Sequence, residues 1–200
     1  LGTTFKTPHN ITAFLAGFED QSNETTINLT NFNNTNVSLE LALNCTVPTY
    51  WSTITSDTRF CPGTYTFSVS GGGVFSSISS NINITCLETK FIVTGSQPSV
   101  FYFTEENISI SGCYLETQGS LSRGRGIRMV SNSSKIMQNT FVTAGLSLSS
   151  SNNNTIHNNT FTSSDIWLFT DNQDNNFTNN TFSGTRANIN MHSSSFDDNE

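Results

Sequence analysis

Apolar residues in the second half of this 200-residue chain recur in short clusters at a near-constant interval. Three six-residue units align without gaps: Ile136-Met-Gln-Asn-Thr-Phe141, Ile156-His-Asn-Asn-Thr-Phe161 and Phe177-Thr-Asn-Asn-Thr-Phe182. A fourth opens at Phe196-Asp-Asp-Asn199, and the first positions are spaced by 20, 21 and 19 residues. Upstream, Ile110-Ser-Gly-Cys-Tyr-Leu115 fits at a spacing of 26, and Cys86-Leu-Glu-Thr-Lys-Phe91 at a further 24. Between the units lie apolar pairs two residues apart: Phe101/Phe103, Ile127/Met129, Leu146/Leu148, Ile166/Leu168 and Ile189/Met191. Alternation at period two puts one face in and one face out, the pattern of a strand. No repeat carries a 3.6-period stripe of helix length.

Short strands joined by turns at this period describe a solenoid, whose coils stack at the inter-strand spacing of about 4.8 Å. The pattern predicts an all-β chain with a parallel β-helix of about 20–26 residues per coil over residues 45–200. Equivalent positions then form columns. Ile136, Ile156 and Phe177 make one inward column, and Phe141, Phe161 and Phe182 another. Asn139, Asn159, Asn180 and Asn199 make a third. Asn tolerates the left-handed backbone that a tight corner needs, and stacked Asn side chains can hydrogen-bond along a ladder. Their neighbours Asn158 and Asn179 are then expected to point outward. A leucine-rich repeat has an overlapping period, but Leu is scarce here. A β-sandwich is the other alternative, given the irregular N-terminal third.

Composition agrees. The chain holds 26 Asn, 29 Ser and 29 Thr, residues that prefer turns and caps to helix interiors. Its 16 Phe, 4 Tyr and 2 Trp argue against a disordered tail. With a net charge of −7 and eight basic residues, it is not expected to bind nucleic acid. No run of 18 apolar residues exists to span a membrane. Cys45, Cys61, Cys86 and Cys113 form no C-x-x-C pair, so a zinc site is poorly supported, and an even number suits disulfides in an oxidising compartment. The N-x-Ser/Thr pattern occurs at Asn10, Asn23, Asn28, Asn33, Asn36, Asn44, Asn83, Asn107, Asn132, Asn153, Asn158, Asn176 and Asn179. In an exported chain these are candidate N-glycan acceptors, and the expected location is extracellular or the cell surface.

The I-x-x-N-T-F units, with Phe60-Cys-Pro-Gly-Thr-Tyr65 and Asn83-Ile-Thr-Cys86, resemble right-handed parallel β-helix repeat proteins. These form the pectate-lyase-like superfamily, which includes NosD-like repeats. The resemblance covers roughly residues 54–200. It implies a right-handed coil and is specific for architecture rather than function. Sequon-rich versions are similar to archaeal cell-surface proteins that build surface layers and filaments.

Residues 1–44 leave the repeat and are expected to form an irregular cap or a segment joining subunits, with a short helix at 12–20 and strands within 26–44. The coil opened at Phe196 is expected to continue beyond residue 200. Stacked coils allow two disulfide pairings: Cys61–Cys86 with Cys45–Cys113, or Cys45–Cys61 with Cys86–Cys113.

Catalysis on such a scaffold needs converging carboxylates, or a base near Ca²⁺-binding carboxylates. Asp165, Asp171, Asp174, Asp197 and Asp198 are the acidic candidates, and solvated turn acids are the simpler reading. No cofactor is expected, with Ca²⁺ in the Asp171–Asp174 turn as the one candidate. Arg123, Arg125 and Arg128 form the basic cluster, a candidate anion contact. His9, His157 and His192 show no metal-ligand spacing. The reading is a structural extracellular glycoprotein that assembles with itself, and no enzyme. A carbohydrate-binding or polysaccharide-cleaving protein, a lyase or a hydrolase, is the alternative.

Overall fold

The computed structural model describes residues 45–70, 72–96, 98–118, 124–185 and 188–191. The expectations for residues 1–44, and those for Arg123, His192, Phe196, Asp197, Asp198 and Asn199, fall outside these residues.

The described chain is all β. Three six-stranded parallel sheets stack as a solenoid of about five turns. Sheet I contains Thr58–Phe60, Ile82–Cys86, Ile108–Ser111, Lys135–Met137, Thr155–His157 and Asn176–Thr178. Sheet II contains Gly63–Ser70, Thr89–Ser96, Tyr114–Gln118, Thr140–Val142, Thr160–Thr162 and Thr181–Ser183. Sheet III contains Gly73–Phe75, Ser99–Phe103, Arg125–Met129, Gly145–Ser149, Ile166–Phe169 and Ile189–Met191. Thr53–Ile54 pairs separately with Ser77–Ile78.

Each six-residue unit of the sequence is thus two strands and the corner between them. Its first apolar residue faces inward from sheet I, as Ile110, Ile136, Ile156 and Phe177 pair in turn. Its last faces inward from sheet II, where the rings of Phe141 and Phe161 stack at 4.6 Å and those of Phe161 and Phe182 at 5.0 Å. The alternating pairs Phe101/Phe103, Ile127/Met129, Leu146/Leu148, Ile166/Leu168 and Ile189/Met191 line sheet III in register. Phe60, Phe75, Phe91 and Phe101 cluster in the first coils, edge-to-face and offset, the arrangements the aromatic quadrupole favours.

Two details differ from the sequence alignment. Ile84, not Cys86, is the partner of Ile110. The second corner between sheets I and II, like the first at Phe60–Gly63, is two residues longer than later ones, because Cys86, Leu87, Glu88 and Thr89 occupy the place of Gly112 and Cys113. The left-handed residue at that corner is also not the ladder Asn. Gln138, Asn158 and Asn179 take it, with φ of 55°, 55° and 53°. That kink turns the following Asn inward, where its amide replaces the hydrogen bonds that the bent backbone gives up.

The coils narrow along the chain. Strands of sheet II shorten from eight residues to three, and the sheet I repeat falls from 26 residues to 20. The change falls where Arg125–Met129 carries a bulge against Gly145–Ser149. No helix of the described residues is long and apolar enough to cross a membrane.

Candidate functional site

At the corner of sheets I and II a single column changes chemistry along its length. It begins with Cys45–Cys61, Cα atoms 5.0 Å apart, and Thr89, whose hydroxyl donates to the Cys61 carbonyl at 2.9 Å. Cys86–Cys113 follows, with Cα atoms 4.9 Å apart across adjacent coils. Gly112 makes that approach feasible, because a Cβ there would lie 2.9 Å from the Cys86 carbonyl oxygen. Beyond it hydrogen bonds take over. The Cys113 N–H donates to Asn139 Oδ1 at 3.0 Å, the Asn139 N–H to Asn159 Oδ1 at 2.9 Å, and the Asn159 N–H to Asn180 Oδ1 at 3.0 Å. Each amide nitrogen donates back to a sheet I carbonyl: Ile110, Ile136 and Ile156.

A second ladder escapes the sequence reading. At the corner of sheets III and I, the Ile108 N–H donates to Ser134 Oγ, the Ser134 N–H to Asn154 Oδ1 and the Asn154 N–H to Asn175 Oδ1. Its signal is a polar residue two positions before Ile136, Ile156 and Phe177, at the same 20- and 21-residue spacing. Among the described residues, Asn190 Nδ2 is the one buried side-chain nitrogen or oxygen without a partner.

Seven sequons lie in the described residues, and all seven surround sheet I. Asn83 and Asn176 sit on its outward rows, Asn107, Asn132 and Asn153 at the sheet III corner, and Asn158 and Asn179 at the sheet II corner. All are exposed except the half-buried Asn132. Asn132 also donates to Glu106 and accepts from the Asn152 N–H, and Ser134 of its sequon is buried. Among the described residues no sequon asparagine falls on a strand of sheet II or III.

On sheet II, Lys90 pairs with Glu116 at 3.0 Å and lies over the Tyr114 ring at 4.3 Å. The hydrogen bond from Gln118, then that from Lys90, holds the Glu116 carboxyl below its ordinary value. Glu116 raises Lys90 in return.

On sheet III the bulge decides where the arginines go. Gly126 faces inward, since a Cβ on it would lie 3.0 Å from the Phe141 ring and 3.1 Å from Leu115 Cβ. Gly126 and Ile127 therefore both face the core, and Arg125 and Arg128 both face out. Arg128 lies over Tyr102, 4.9 Å from the ring centroid, and Arg125 over Phe169 at 5.3 Å. Asp165 accepts the Asn188 N–H at one edge of this sheet, while Asp171 and Asp174 sit in left-handed corner positions at the other. The described residues contain no group of three or more His, Cys, Asp and Glu placed to hold a metal ion.

These features define the class: a disulfide-stapled parallel β-solenoid whose described sequons gather around one of its three sheets. Two disulfides are compatible with an extracellular chain. No family model, curated protein or solved structure matches the chain.

Proposed function

We propose that the chain is a structural extracellular glycoprotein, a subunit of a surface filament, sheath or surface layer. Solenoids of the pectate-lyase-like and NosD-like kind, which its repeats resemble, are the expected relatives. The observation that carries the reading is the one-sided placement of the described sequons. Glycans around sheet I would shield that side and leave sheets II and III bare for contacts between copies. Stacked coils with satisfied ladders supply stiffness without a large core.

The test is expression of the full chain in an N-glycosylating host, followed by glycopeptide mapping and electron microscopy. Glycans at Asn158, Asn176 and Asn179, with filaments or sheets, are the expected result. The variant Thr64→Asn creates a sequon on the outward face of sheet II, ending at Thr66, and should block assembly. A chain bare at these asparagines, or dispersed at every concentration tried, overturns the reading.

A further inference from the structure

We propose that the N-terminal end of the solenoid is a joint between two copies of the chain, made by the free edge of sheet II and the aromatic turn beside it. This gives the proposed assembly a specific contact, and rests on that reading for the identity of the partner.

The three sheet edges at this end are unequally covered. On sheet I, Thr46 bridges to Phe60: its N–H donates to the Arg59 carbonyl at 2.7 Å, and its carbonyl accepts the Cys61 N–H at 3.1 Å. The Cys45–Cys61 disulfide fastens that bridge. On sheet III, the Trp51 N–H donates to the Val74 carbonyl at 3.1 Å. The chain passes from one cover to the other in four residues, 47–50, where the next coil uses thirteen, 61–73. So short a path bypasses sheet II. Among the described residues no strand pairs with Gly63–Ser70 on the side away from Thr89–Ser96.

That edge is eight residues long. The Gly63 N–H donates to the Glu88 carbonyl, and the Phe67 carbonyl accepts from the Thr94 hydroxyl, so alternate residues address the neighbouring strand. Thr64, Thr66 and Ser68 therefore turn their N–H and C=O groups to the open side. Exposed edges are normally blunted by charge, proline or a bulge. This strand has no charged residue and no proline, and it pairs with 89–96 residue for residue. Apolar surface adjoins it. Val47, Tyr50 and Trp51 are 60%, 42% and 57% exposed, with Tyr50 stacked on Phe67 and Trp51 meeting Tyr50 edge-on. Trp51 also holds a left-handed backbone, φ 61°, which bulky side chains rarely adopt.

A second copy fits both features. Two Gly63–Ser70 strands related by a twofold axis can pair antiparallel, with no like charges brought together. The same axis sets the turn of Val47, Tyr50 and Trp51 against the partner, and Tyr and Trp are the side chains that anchor interfaces. Residues 46–56 are uncharged on a chain of net charge −7, and no sequon falls between Cys45 and Ile82. This end is thus where two copies meet with least repulsion and no glycan attached between those residues.

The experiment follows the full glycosylated chain from dilute to concentrated solution, by sedimentation velocity and by hydrogen exchange read with mass spectrometry. The expected result is a concentration-dependent dimer. The 63–70 peptide should gain about three protected amides in the dimer, those of Thr64, Thr66 and Ser68. Thr66→Pro removes a donor on the open side alone, as an edge strand tolerates, and should abolish the dimer. Thr66→Val keeps that N–H and should keep the dimer. Trp51→Gly suits the left-handed backbone and should weaken dimerisation about tenfold while the monomer melts unchanged. Protection of 63–70 already in the dilute monomer, or a dimer indifferent to Thr66→Pro or Trp51→Gly, would overturn the proposal. Filaments in which 63–70 exchanges freely would overturn this joint and leave the structural reading standing, whereas monomers at every concentration would overturn both.

Discussion

The side chain of Asn159 makes four hydrogen bonds. Its Oδ1 accepts from the backbone and side-chain N–H groups of Asn139, and its Nδ2 donates to the Ile136 carbonyl and Asn180 Oδ1. Its neighbour Asn158 is exposed and carries the left-handed backbone. Asn159→Ala strands a buried N–H and a buried carbonyl, and should cost about 2–4 kcal/mol in urea denaturation. Asn158→Gly meets the same backbone requirement without a Cβ and should move stability by less than about 1 kcal/mol. A pH effect belongs to the same scale. Glu116 is depressed in the folded chain, so its contribution is present above its unfolded pKa and lost as pH falls through the lower folded value. Lys90 is raised, so its share persists below the ordinary lysine value and is lost as pH rises through the raised one. Thermal melting should weaken on acidification through the carboxylate range, and Glu116→Gln should flatten that decline.

Among elements, the strand Arg125–Met129 is the junction between wide and narrow coils, and Gly126 is its fulcrum. Gly126→Val would drive methyl groups against Phe141 and Leu115, and should cost about 1–3 kcal/mol as overpacking in denaturant titration. The inward columns were legible from sequence because Ile136, Ile156 and Phe177 keep both their spacing and their apolar character. The bulge was not legible, since Arg-Gly-Arg-Gly reads as a loop until its strand pairing is known. The second ladder was concealed because its first member is Ser134 while its later members are Asn154 and Asn175. The offset at Cys86 went undetected because Phe91 still aligned with Leu115, and the two extra residues lie wholly within one corner. The disulfide pairing was open for the same reason: the corner length sets which cysteines meet.

For the molecule as a whole, the chain of contacts runs from coil to coil, so stability is a sum of neighbouring interfaces rather than the property of one central core. The disulfides close separations of 16 and 27 residues at one end. Each should contribute roughly 3–4 kcal/mol through the unfolded state. Reduction should therefore lower the melting midpoint, and Cys86→Ser with Cys113→Ser should reproduce about half of the change. The charged surface also matters at this scale, since a net charge of −7 keeps separate molecules apart at low ionic strength. Salt screening should favour whatever assembly the bare sheets make.

The column that passes from sulfur to amide has a mechanical consequence. Under load the molecule is a one-way zipper, because the amide-linked coils can peel away singly while the cystine-linked ones cannot. Pulled from its two termini in an optical trap, it should release the later coils first, in steps of about 70 Å of contour for each 20-residue turn. The residues enclosed by the two cystines should stay short until a reductant enters the chamber.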